Sequence, residues 1–145
     1  MKKLKKLLSL LLVLILILGC ALTSKQEVSA KTKKLFTSLI QKSNPYYNDR
    51  VKEGMAVAYK VKLKSKTIII HGSLSDFDEG ETTNIGVHTY KLSSEVKYIA
   101  RGGEAPDQEF SKKDFKKYLK KVKDSSLGLV LEFKKSKVSK VIISS

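Results

Sequence analysis

Ten consecutive residues, MAVAYKVKLK from Met55 to Lys64, alternate between two sets. Met55, Val57, Tyr59, Val61 and Leu63 form one set; Ala56, Ala58, Lys60, Lys62 and Lys64 form the other. A period of two places the sets on opposite faces of a β-strand, one buried and one carrying a lysine row. A lone strand cannot shield its apolar face from water, so the surrounding chain must supply a sheet.

The neighbouring sequence supplies candidates for it. A short turn near Ser65 leads to TIIIHGSL (67–74), a second β-rich run. An acidic loop, SDFDEGETTN (75–84), separates it from IGVHTYKLSSEVKYIA (85–100). That last stretch reads as a long strand, bulged near Ser93 and Ser94 where the alternation weakens. After the loop RGGEAPDQ (101–108) come helix signals. Ser111 is an N-cap with Asp114 three residues on, and Phe110 and Phe115 stand where a hydrophobic staple joins them. Phe115, Leu119 and Val122, with Tyr118 beside them, make the apolar stripe. Lys112, Lys113, Lys116, Lys117, Lys120, Lys121 and Lys123 cover the other faces. DSSLG ends the helix, and Leu129–Phe133 with VSKVIISS forms a closing hairpin.

Upstream, KTKKLFTSLIQK (31–42) has Leu35, Phe36, Leu39 and Ile40 at helical spacing, and Asn44-Pro45 ends the pattern. Residues 31–50 are therefore expected to be a helical or flexible segment ahead of a single domain at 51–145. Tyr46 and Tyr47 are expected as loop anchors.

The order three strands, helix, two strands makes the chain mainly β with one helix, an α+β class. Over residues 52–145 this order resembles the OB-fold, a five-stranded barrel with its helix between the third and fourth strands. An SH3-like barrel, or a sheet with one helix across it, fits the same order. The chain also looks like small exported proteins of Gram-positive bacteria.

The first thirty residues carry that second resemblance. Lys2, Lys3, Lys5 and Lys6 precede an apolar run from Leu7 to Leu18 broken only by Ser9. Twelve helical residues rise about 18 Å, short of a hydrocarbon core of roughly 30 Å, so the segment reads as a signal peptide. Two exits compete. Val28-Ser29-Ala30 places small or compact residues before a cut between Ala30 and Lys31. Ile17-Leu18-Gly19-Cys20 resembles a lipobox, which would make Cys20 a lipidated first residue and anchor the chain at the outer face of the cytoplasmic membrane. Either way the chain beyond Cys20 lacks cysteine. Thiol catalysis, disulfide exchange and cysteine-ligated metals are excluded from it.

Removing residues 1–30 takes five lysines and Glu27 from 29 basic and 14 acidic residues, leaving 24 against 13, a net of +11. This biases the chain toward anionic partners. Only Arg50 and Arg101 are arginines. Lysine is a hydrated point charge without the bidentate fork that reads phosphate or guanine, so the surface suits diffuse attraction. The residues put forward for binding are Lys60, Lys62, Lys64, Lys113, Lys117 and Lys120.

For chemistry the candidates are few. If the runs at 67–74 and 85–100 pair around a tip near Glu79 and Gly80, His71 and His88 face one another. They would then be close enough to share a metal with Asp76, Asp78, Glu79 or Glu81. The stronger reading is that His71 caps a strand end and His88 points at solvent while the carboxylates solvate a loop, and the acidic run does not match an EF-hand. No GxSxG, SxxK or P-loop occurs, and Asp107 with Glu109 is a pair any small domain offers. Without tryptophan, sugar stacking is weakly supported. No cofactor is expected.

The expectation is an exported, non-enzymatic binding or accessory domain at the Gram-positive cell surface, facing anionic wall polymers or lipids. A second reading is protein interaction, as inhibitor, immunity protein or secreted effector. A third is oligonucleotide or oligosaccharide binding on an OB-like face; export argues against a nucleic acid, and Tyr59, Tyr90 and Tyr98 read as core residues rather than stacking platforms.

Overall fold

The computed structural model describes residues 32–145. Its strands are β1 (Lys34–Leu39), β2 (Val57–Leu63), β3 (Thr67–Gly72), β4 (Ser75–Asp76), β5 (Gly86–Arg101), β6 (Gln108–Phe110), β7 (Gly128–Lys134) and β8 (Lys137–Ser144). Its helices are α1 (Tyr47–Lys52) and α2 (Lys112–Val122). The signal segment, both cleavage sites and Cys20 lie outside the described residues.

β2, β3 and β5 form an antiparallel meander, and β7 and β8 form an antiparallel hairpin whose β8 runs parallel to β5. β1 completes the circuit, antiparallel to β7 on one side and parallel to β2 on the other. Six strands thus close a barrel, with β4 attached to β1 and β6 to β5. The described residues are mainly β, as expected, but hold eight strands rather than five. The long helix falls between β6 and β7 rather than between the third and fourth strands. β4 and β6 are two and three residues long; strands that short carry no period for a sequence to display.

The segment expected as a helix or tether is a strand inside the barrel. Leu35, Thr37 and Leu39 of β1 face the core, at 5%, 0% and 2% exposure. On the other face, Phe36 meets Phe77 with ring centroids 4.8 Å apart. Just past the strand, Ile40 is buried with Tyr47 and Val57. A strand covered on both faces shows adjacent apolar residues instead of alternation. Here that coverage put Leu35, Phe36, Leu39 and Ile40 at helical spacing.

The alternation read from Met55 fails just ahead of β2, where Met55 is exposed and Ala56 buried, and again at one place within the strand. A bulge between Ala58 and Lys60 shifts the register against β3, and an extra residue exchanges the faces of the positions beyond it. Ala58 and Leu63 belong to the main core, with Val61 packed against it. Val57 and Tyr59 instead join Ile40, Tyr47 and Val51 in a second, smaller core under α1. Gly72 lies opposite Ala58 with φ +147°, where an added Cβ would collide with the Val57 carbonyl. Glycine is what lets the two backbones approach at the bulge.

The expected cap of α2 is present. The Ser111 side chain accepts from the Asp114 backbone N–H at 3.2 Å, and Phe110 and Phe115 meet with centroids 6.1 Å apart. Phe115 is fully buried and Leu119 is 8% exposed, both in the main core. α1 ends in a Schellman arrangement: Gly54 (φ +76°) donates to Val51, and Met55 donates to Arg50. The bulge foreseen in the long strand also occurs, as a register shift between Leu92 and Lys97 against β8.

Candidate functional site

The barrel is closed along only part of one seam. β1 pairs with β2 at Ser38↔Val57 and Leu39↔Ala58, and the Ile40 N–H donates to the Ala58 carbonyl at 3.0 Å. Beyond that point no described strand pairs with β2 on this side. The next carbonyl, of Tyr59, accepts from Gln41 Nε2 at 2.9 Å. A side chain thus occupies the place where the next strand residue would stand.

The direction of the remaining backbone groups is set by the hairpin. Lys64 N–H donates to the Thr67 carbonyl, making 64 and 67 a hydrogen-bonded pair. Antiparallel ladders alternate, so Lys62 and Lys60 also bond toward β3, at Ile69 and His71. The N–H and C=O groups of Val61 and Leu63 therefore point into the seam. There they form a short edge that no backbone group among the described residues pairs with.

α2 runs alongside this edge and is held at both ends. At its start Lys112 Nζ donates to the Ser65 carbonyl at 2.9 Å, where β2 turns into β3. Partial burial, and then the nearby Lys116, hold the Lys112 ammonium below the usual lysine range. At its far end Gln41 Nε2 also reaches the Lys123 carbonyl at 3.3 Å. Asp124 accepts from the Gln41 backbone N–H and from Asn44 Nδ2, both at 2.9 Å. These bonds, the backbone N–H first, hold its carboxyl below the ordinary value.

Between β2 and α2 lies a groove of about 670 Å³. Leu39, Ala58, Val61, Leu63 and Leu119 form its apolar floor. Lys60 and Lys62 rim it from the strand; Lys116 and Lys120 of α2 and its C-cap Lys123 rim it from the other side, at i, i+4 and i+7 along one helical face. Among the described residues no aspartate or glutamate lines it. Ion pairs among the described residues join Lys34 and Lys140 to Glu132 and Arg101 to Asp107, and none involves a groove lysine. Five lysines line one space; the acidic group near them among the described residues is Asp124, beside Lys123 and already engaged by Gln41 and Asn44, so the excess positive charge favours an anion there.

Of the six lysines expected to bind, the fold brings Lys60, Lys62 and Lys120 together at the groove. Lys64, Lys113 and Lys117 are exposed outside its lining. Lys116 and Lys123 were missed, although the period of α2 puts them on the face of Lys120. What sequence could not supply was which helix face meets β2.

The histidines are separated. Their strands pair one residue out of the expected register: His71 faces Val87 and His88 faces Ile70. A shift of one sends adjacent positions to opposite faces, so the two rings cannot share an ion. His71 stands beside Tyr59, with ring centroids 6.0 Å apart, while His88 Nε2 donates to the Asn84 carbonyl at 2.9 Å. Asp76 is occupied in its own loop, accepting from the N–H groups of Asp78 and Glu79. Among the described residues no group of three histidine or carboxylate side chains is arranged to hold a metal. Asp107 forms a two-pronged contact with Arg101, at 3.0 and 2.9 Å.

Tyr46 and Tyr47 split, with Tyr46 66% exposed and Tyr47 7%. Tyr98 and Tyr90 lie in or against the main core, and Tyr59 belongs to the second. Among the described residues no helix is long and apolar enough to cross a membrane. No family model, curated protein or solved structure matches the chain.

Proposed function

We propose that this protein is an exported, non-catalytic binding domain of the Gram-positive cell surface that takes an anionic partner in the groove between β2 and α2. Five lysines that form no ion pair among the described residues, set over an apolar floor, carry this reading. Export rests on the signal anatomy of residues 1–30. Anionic wall polymers, anionic headgroups and acidic polypeptides share the chemistry the groove would recognise. The architecture reads as a variant of the OB-like barrel: a meander (β2, β3, β5), then a helix, then a hairpin (β7, β8) whose last strand lies parallel to β5. In this reading β1 is wedged between β2 and β7, and the wedge leaves the seam half open.

Charge reversal at matched net charge tests the groove against diffuse attraction. Lys60→Glu, Lys116→Glu and Lys120→Glu together remove three groove charges; Lys64→Glu, Lys113→Glu and Lys117→Glu remove three outside it. Binding to purified teichoic acid, to vesicles containing phosphatidylglycerol and to polyglutamate is measured across a salt series. The groove triple should lose at least tenfold in affinity for the polyanion that binds, and the control triple less than threefold. Equal losses would leave only a basic surface.

A further inference from the structure

The unpaired edge on the strand wall narrows the class of anion. A polymer or lipid headgroup satisfies lysines but has no use for peptide N–H and C=O groups held in strand geometry. We propose that the seam takes an extended acidic segment of a partner protein, which adds as a strand to the free edge of β2 at Val61 and Leu63. This rests on the anion-binding reading of the same groove.

Three features carry the inference. First, the chain already uses this edge for strand addition: β1 pairs along it as far as Ala58, and the Gln41 side chain then takes the Tyr59 carbonyl. From Lys60 to Leu63 four residues remain, roughly 13 Å of strand. Second, α2 is pinned to the β2 side at both ends, by Lys112 on Ser65 and by Gln41 on Lys123, and between those points a groove separates helix from strand. The wall opposite the edge is in place before any partner arrives, which lowers the ordering cost of binding. Third, the strand wall alternates. Val61 turns to the core while Lys60 and Lys62 turn out, so an added strand would set alternate residues against apolar and cationic neighbours. Acidic and apolar residues in alternation complement it.

Lysines on an edge strand also serve to discourage self-association. That role accounts for Lys60 and Lys62, which lie on the edge. It does not account for Lys116, Lys120 and Lys123, which face the groove from the other wall. Peptide addition to an exposed edge draws affinity from main-chain bonds and selectivity from side-chain pockets, and the seam offers both.

The test uses the full chain, ¹⁵N-labelled, with the peptide acetyl-Glu-Val-Glu-Val-Glu-Val-Glu-amide and two versions N-methylated at alternate residues, one on each edge. The expected result is saturable binding at low salt, with amide exchange at Val61 and Leu63 slowed at least tenfold in the complex. One methylated peptide should lose at least tenfold in affinity and the other stay within threefold, because only one edge faces β2. Failure of the parent peptide to bind overturns the proposal. So do equal affinities for all three peptides, or exchange at Val61 and Leu63 unchanged in the complex. Protection that grows with protein concentration alone would make the occupant a second copy and overturn the partner assignment. Teichoic acid or vesicle binding that is lost in the groove triple, alongside no peptide effect, would keep the anion site and remove strand addition. Peptide binding that survives the groove triple would count against the anion site itself.

Discussion

Thr37 is fully buried on β1, between core leucines at 35 and 39, and its hydroxyl has no hydrogen-bond partner among the described residues. A buried, unpaired hydroxyl costs about 1–3 kcal/mol. Thr37→Val removes it at nearly constant volume, so the urea midpoint should rise, by about 1 kcal/mol of stability. A fall would mean the hydroxyl is satisfied by a group such as a bound water. His71 makes a pH prediction. Burial, followed by Lys60 and Lys62, depresses its pKa below the ordinary value of 6.5. The unfolded chain therefore binds the proton first as pH falls. The stability contributed is complete above about pH 6.5 and is lost as pH drops through the folded pKa. Urea midpoints at pH 7.5 and pH 5 should differ more in the wild type than in His71→Gln.

At the scale of elements, α2 separates local from tertiary stabilisation. Ser111→Ala removes a cap that accepts one backbone N–H and should cost about 1 kcal/mol. Phe115→Ala empties a fully buried site that touches Tyr98 and Phe110, and should cost about 3–5 kcal/mol. Chemical denaturation orders the two, and comparable losses would mean that the core collapses around the missing ring. The contrast reflects the general rule that helices in proteins owe more to the packing of one face than to local signals. It also bears on the groove, because Leu119, one turn on from Phe115, contributes to the groove floor.

For the molecule as a whole, β1 is the decisive element. It contacts β7 along five register positions and β2 along two, and it closes the barrel. A chain lacking residues 32–40 loses Leu35, Leu39 and Ile40 from the two cores. It should show no cooperative unfolding transition by circular dichroism. If residues 31–50 were a tether, that deletion would leave the melting curve intact. The same strand explains the seam: the chain turns away after Ile40 toward α1, so among the described residues half of the β2 edge is left without a strand, and α2 faces the gap across a groove.

Much of this was legible in residue order. The alternation at β2, the length and bulge of β5, the cap and staple of α2 and the closing hairpin are local patterns, encoded within one or two turns or a few strand positions. The lysine excess and the absence of cysteine after Cys20 are likewise properties of composition. What residue order left open depends on contacts between distant parts of the chain. Coverage of β1 on both faces made a strand look like a helix. The bulge at Ala58 divided one predicted face of β2 between two cores. A register set by Ile70 and His88, one residue from the symmetric choice, separated the histidines. The groove is the clearest case: Lys60 and Lys116 are ordinary lysines in sequence, and they line one groove only because β1 ends early and α2 is pinned along the edge it leaves. Period and caps act within an element and can be read in order; register, closure and cavities arise between elements, and only the folded barrel decides them.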